Sequence, residues 1–250
     1  MRSDHSYSQG VDMRKFQFII IGVFFTFLIS GMLQYPLDAQ QQPSNPDEHM
    51  KGEDFTRILK DEWSYLKDAT DEYLKTTSKK SEFETSKEYA DRIARTKAAF
   101  VAKVDTHIQE QKYDRRVFSV LFKASLISYN ADLQRYLITC TGSVEAPYDI
   151  PTLRCIVPKN PFVVLTDSVN RGFRTSALRV RIPTDYRWSV PRDEAKEAKG
   201  DEADLFYEVR FVLDLRQEDM VKQAKLKIIP TQISMLNIAS HKVYWSVDIK

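Results

Sequence analysis

Clustered glycines are missing from this chain. Only 7 glycines occur in 250 residues, and from residue 53 onward Gly142, Gly172 and Gly200 stand far apart. A phosphate-cradling loop needs neighbouring glycines so that backbone N–H groups can approach the anion, so nucleotide-binding loops of that kind are excluded. No G-x-S-x-G, H-E-x-x-H or Walker pattern occurs. The four histidines, His5, His49, His107 and His241, are not paired at metal-ligand spacing with each other or with cysteine, so neither a metal nor a cofactor is expected. Charge of one sign is not in excess either: 37 basic against 35 acidic residues leave +2. That balance, with the export argument below, sets nucleic acid aside as a partner. Adjacent carboxylates such as Asp193/Glu194 and Asp201/Glu202 lie in charged, solvated runs, where no apolar pocket raises a carboxyl pKa for acid catalysis. No catalytic residue is therefore nominated.

Long apolar runs are also rare, and the one that exists is informative. Residues 16–33 (FQFIIIGVFFTFLISGML) contain no charge, and Gln17 is their only strongly polar side chain. About 20 apolar residues span a bilayer, with a range near 17–25, so this run suits a membrane at the short end. Arg14 and Lys15 precede it, while Asp38, Asp47 and Glu48 follow. The positive-inside rule then places residues 1–15 in the cytoplasm and the remainder outside. Two readings stay open: an uncleaved single-pass anchor in the cell membrane, or a signal peptide cut between Ala39 and Gln40, which would leave a periplasmic or secreted product. A start at Met13 would give an ordinary signal n-region. A buried core helix is the remaining alternative.

Residues 34–52 carry Pro36, Pro43 and Pro46 among Gln, Asn and Ser and read as a linker. Over 53–76, Phe55, Ile58, Leu59, Leu66, Tyr73 and Leu74 recur with the helical period. After a polar break, Thr85 and Glu88 form a capping-box pattern ahead of a second helix that ends near Lys112. Together 53–113 make a helical hairpin. Trp63, Tyr65, Tyr73 and Tyr89 on it suit either a partner-binding arm or internal packing. From 114 to 250 β-branched and aromatic residues alternate with polar ones. Strands are expected near 116–124, 133–141, 153–157, 162–168, 176–182, 205–215, 225–236 and 242–249, with a short exposed helix within 192–204. Asn130-Ala131-Asp132 and Asn170-Arg171-Gly172 signal turns. The fold class is α+β: the N-terminal membrane or signal helix, the hairpin, then a mostly antiparallel, β-sandwich-like domain.

The stretch Glu82-Phe83-Glu84-Thr85-Ser86-Lys87-Glu88-Tyr89-Ala90-Asp91-Arg92 resembles an E-F-E-T-x-x-E-Y-x-x-R signature of uncharacterised bacterial envelope proteins. The resemblance implies an envelope setting and a helix start ahead of a β-rich region. It carries no catalytic residue. Read from the residues alone, the motif is a helix cap with Phe83 anchoring the chain before it.

Two features of the β-rich region are candidate sites. Cys140 and Cys155 are the only thiols, and an even count in an exported domain suggests a disulfide. Closing a loop of about 15 residues would add roughly 3 kcal/mol. The alternative is two buried free cysteines. Arg171, Arg174, Arg179, Arg181, Arg187 and Arg192 lie among Phe173, Tyr186 and Trp188. Arg171, Arg174, Arg179, Arg181 and Trp188 form the candidate surface for an anionic ligand. The opposing reading makes Arg179 and Arg181 the wet face of a strand, neutralised by acids at 193–204.

The function these observations favour is a non-catalytic exported or membrane-anchored envelope protein that binds an envelope protein or anionic polymer. The alternatives are an envelope hydrolase whose site gathers His107 or His241 with a carboxylate and a nucleophile, and a subunit of a larger membrane assembly.

Overall fold

A computed structural model of the chain describes residues 49–170, 173–183, 188–217 and 223–249. The expected n-region at 1–15, the apolar run at 16–33, the Ala39–Gln40 cut and most of the 34–52 linker lie outside the described residues. Among the described residues, no helix is long and apolar enough to cross a membrane.

The described residues are α+β, with three α-helices and a mostly antiparallel, curled sheet. Helix α1 (Gly52–Thr77) buries Phe55, Leu59, Glu62, Leu66, Ala69, Thr70 and Tyr73, a single stripe at spacings of three and four. Glu53 and Asp54 occupy its first turn, where the positive end of the helix dipole favours carboxylates. Helix α2 (Ser86–Gln111) starts at the expected capping box, with Thr85 accepting from Glu88 N–H and Glu88 accepting from Thr85 N–H. It stops where Lys112 turns left-handed at φ 58°, and the Lys112 and Tyr113 N–H groups close onto the last carbonyls. Only Phe100, Val104 and Ile108 are buried on α2. Its C-terminal half therefore packs on α1, and the first half of α2 stands away from the core.

Ten strands follow: β1 (Phe118–Asn130), β2 (Arg135–Thr141), β3 (Val144–Ala146), β4 (Leu153–Ile156), β5 (Val163–Asn170), β6 (Phe173–Val180), β7 (Trp188–Ser189), β8 (Leu205–Asp214), β9 (Ala224–Asn237) and β10 (Val243–Asp248). Helix α3 (Arg192–Gly200) lies between β7 and β8. The larger sheet runs β10-β9-β8-β1-β2-β7, and β4 joins β9 in parallel. β9 is 14 residues long, which lets one edge serve β4 with its first residues and β10 with its last. A smaller sheet has the order β3-β6-β5. Register shifts in β1, β8 and β10 bend the strands locally. The face of the large sheet under α1 carries Phe118, Val120, Phe122, Val209 and Phe211, all buried. Phe55 of α1 sits 5.5 Å from the Phe118 ring and 5.1 Å from Phe211.

All eight expected strands are present, each with one or both ends moved. β3 and β7, of 3 and 2 residues, are too short to show a period of two. The turn at Asn130 forms as the sequence implies, with Asn130 Oδ1 accepting from Leu133 N–H.

Two expectations are corrected. Phe83 does not anchor the chain ahead of α2; it is 89% exposed. The reason is position. A hydrophobic staple needs the apolar residue immediately before the cap, and that place belongs to Glu84. Tyr89, where a staple partner would sit, instead donates its hydroxyl to the Thr77 carbonyl.

The disulfide is likewise not formed: Cys140 and Cys155 are free. Cys140 lies on β2, paired with β1, and Cys155 on β4, paired with β9. Strands β9, β8 and β1 intervene at about 4.8 Å per strand step, whereas a disulfide needs Cα atoms within roughly 7 Å. Burial pushes both thiols up to about 12, aided at Cys155 by Asp149 and Asp167. In the folded chain at neutral pH both should resist iodoacetamide, and mass spectrometry after unfolding should find two alkylated cysteines without prior reduction. A mass two hydrogens short, with no alkylation until a reductant is added, would restore the disulfide.

Candidate functional site

A cleft of about 420 Å³ lies between β4, with the loop after it, and β5. Its lining comprises Arg154 to Asn160 and Val163 to Leu165. Two of these side chains, Arg154 and Lys159, are cationic, and none is acidic. Asn160 fixes the loop. Its amide oxygen accepts from the Phe162 and Val163 N–H groups at 2.9 and 2.6 Å, and its amide nitrogen donates to the Pro158 and Val163 carbonyls. The floor is therefore preorganised rather than a collapsing loop. Arg154 is oriented by Asp149 at 3.1 Å, and Asp149 also accepts the Cys155 N–H. Both partners of that ion pair are more than 40% exposed, so the guanidinium keeps an open side.

The arginine-rich strand borders this cleft. Arg179 on β6 is the cross-strand partner of Val164 and shares its face of the small sheet. The N–H of Arg181 bonds the Phe162 carbonyl. Arg174, Arg179 and Arg181 are all exposed, and no ion pair among the described residues involves them. The neutralisation expected from 193–204 does not occur there. Glu194 and Glu197 reach Lys242, Asp193 reaches Lys196, and Glu202 is taken up by Lys199 and the Leu126 N–H.

The candidate surface changes in membership. Arg171, with Arg187 and Tyr186, lies outside the described residues. Trp188 does not join it: this side chain is 5% exposed and packs on Tyr136 and Tyr244 of the large sheet. Arg154 and Lys159 were not singled out from sequence. The signal that could have found them was the strand pairing, which brings β4 and β5 to one cleft.

Histidine–carboxylate clusters also form among the described residues. On the hairpin, Glu62 accepts from Tyr113 Oη at 2.6 Å and meets His107 Nε2 at 2.7 Å. Tyr65 stacks on the His107 ring with centroids 3.7 Å apart. Burial, then the Glu62 carboxylate, raises the Tyr113 phenol far above its ordinary value. His107 borders an open cleft of about 440 Å³ with Tyr65, Lys103, Thr106 and Glu110. Both hydroxyls of that lining are engaged: Thr106 donates to the Ala102 carbonyl and Tyr65 to the Lys103 carbonyl.

At the start of the described chain, His49 Nδ1 lies 3.2 Å from Ser119 Oγ and 3.5 Å from Glu208. Ser119 donates its proton to Glu208, not to the imidazole, and Arg210 also bonds Glu208. A nucleophilic triad needs the histidine between serine and carboxylate. Here serine is 3% exposed and the order is different, so the cluster ties residues 49–50 to β1. His241 is exposed in a left-handed turn before β10. Among the described residues no group of His, Cys, Asp and Glu could hold a metal.

Trp63, Tyr65, Tyr73 and Tyr89 pack internally: Trp63 is half-buried against the core, Tyr73 meets Phe100 at 5.6 Å, and Tyr89 lies under Arg92. Comparison with protein-family models, with curated proteins and with solved structures gave no match to this chain.

Proposed function

We propose that the chain is a non-catalytic binding module of the bacterial envelope, and that its β-rich region holds an anionic envelope polymer across the β4–β5 cleft. The apolar run at 16–33 and the E-F-E-T-x-x-E-Y-x-x-R resemblance support the setting, whether the chain stays anchored or is released after Ala39. The larger and smaller sheets serve as the two layers of a sandwich-like module, and the cleft lies between an edge of each. The observation that carries the ligand class is a preorganised trough lined by Arg154 and Lys159, bordered by Arg179 and Arg181, with no carboxylate in its lining. Exposed guanidinium groups pair with carboxylates or phosphates in fork geometry, and an open trough suits a chain that passes through it.

Labelled heparin oligosaccharide and short-chain polyphosphate are suitable soluble probes, read by fluorescence anisotropy over a salt series. Arg179→Glu with Arg181→Glu is expected to weaken binding on the order of tenfold and to lower the slope of log K against log salt by about two. Arg95→Glu, on the exposed face of α2, is expected to change neither. Equal binding by the β6 double variant and the parent would overturn the reading, as would an equal loss in the α2 control.

A further inference from the structure

The eight residues between the two long helices are held by an unusual density of side-chain bonds. Arg92 reaches back from α2 to Glu84 with two nitrogens, at 2.9 and 2.8 Å, and to the Lys79 and Thr76 carbonyls. That bond to Arg92 also holds the Glu84 carboxyl below its ordinary value. Ser81 N–H bonds Glu84, Glu84 N–H bonds the Ser81 carbonyl, and Phe83 N–H bonds Ser81 Oγ. Tyr89 ties the end of α1 through Thr77, and Thr85 with Glu88 closes the capping box. At the apex of this frame stands Phe83, 89% exposed. A turn built only to reverse the chain needs no aromatic there. Among the large apolar side chains found exposed, Phe83 is the most so, ahead of Leu133 at 62%.

The charges around it indicate what covers it. Of the three carboxylates within residues 79–88, two are engaged within the turn, Glu84 by Arg92 and Glu88 by the Thr85 cap. Glu82 remains, against exposed Lys79, Lys80 and Lys87. Lysine is depleted from protein–protein contacts, whereas lysines beside an exposed aromatic match an anionic bilayer surface, where the ring enters the headgroup boundary and the ammonium groups stay outside.

We propose that the hairpin tip is a membrane-contact element: Phe83 enters the interface of an anionic bilayer, with Lys79, Lys80 and Lys87 on the headgroups. One ring and three lysines give only weak, reversible attachment by themselves, so the tip acts as a second point of contact. This is independent of the cleft reading.

The full chain carrying Phe83→Trp, reconstituted in vesicles, tests it after subtraction of the parent spectrum from Trp63, Trp188 and Trp245. With phosphatidylcholine–phosphatidylglycerol vesicles the introduced indole should shift to shorter wavelength and be quenched by bromine-labelled acyl chains. Vesicles of phosphatidylcholine alone should give neither effect, and Lys79→Glu with Lys80→Glu should abolish both. In the unsubstituted chain, hydrogen exchange at residues 79–85 should slow only with the anionic vesicles. Equal iodide quenching and equal exchange in both vesicle types would overturn the proposal. Shielding without bromine quenching would overturn it too, in favour of a protein contact.

Discussion

Phe55→Ala is expected to lower the unfolding free energy by about 3–5 kcal/mol, the usual cost of truncating a fully buried phenylalanine. Phe55 is 0% exposed and stacks with Phe211 while leaning on Phe118. Helix α1 thereby meets two neighbouring strands, β1 and β8, through one side chain. The substitution removes the ring and leaves a cavity that two flanking rings on a sheet cannot close. For a chain of this size each kcal/mol shifts Tm by roughly 2–4 °C, so calorimetry should record a fall on the order of 10 °C. Phe55→Leu should lose distinctly less, because most of the volume stays. A drop below about 1 kcal/mol for the alanine variant would show that α1 is not fastened to the sheet at this point.

Glu62→Ala is expected to cost about 3 kcal/mol or more, for a different reason. Glu62 is 6% exposed and serves both Tyr113 and His107. Deleting it strands a buried phenol donor and a nearly buried imidazole, and each buried polar group left without a partner costs about 1–3 kcal/mol. The double variant Glu62→Ala with Tyr113→Phe should be less destabilised than the sum of the singles, with a coupling of about 1–2 kcal/mol. Denaturant titration of the four proteins gives this number directly. Strict additivity would mean that the cluster does not act as a clamp between α1 and the turn after α2.

Much of the local structure could be read from the sequence because it depends on neighbours in the chain. The α1 stripe from Phe55 to Tyr73 and the Thr85–Glu88 cap are encoded within four residues. Leu178-Arg179-Val180 shows a strand by its own alternation. Lateral order is different. Cys140 and Cys155 both lie in strands as expected, yet nothing local says that β1, β8 and β9 separate them. Trp188 reads as part of an arginine-rich surface until its pairing with Tyr136 turns it inward. The cleft was half legible for the same reason. Arg179 and Arg181 stand out by composition, whereas Arg154 and Lys159 enter only once β4 is placed on β9. Glu62 and Glu208 were invisible as cluster centres because His107 and Ser119 stand 45 and 89 residues from them.

That last separation also governs the order of assembly. β1 is central to the large sheet, but one of its two partners among the described residues, β8, arrives 89 residues later at the Ser119–Glu208 contact, and β4 pairs with β9. Contacts this distant in sequence form slowly, because a long loop must be closed before any of them is rewarded. The helical hairpin can form while the chain is still emerging, since its contacts are local. The sheet cannot close until the C-terminal third is available. A polypeptide with this wiring becomes globular only once nearly all of it has been synthesised.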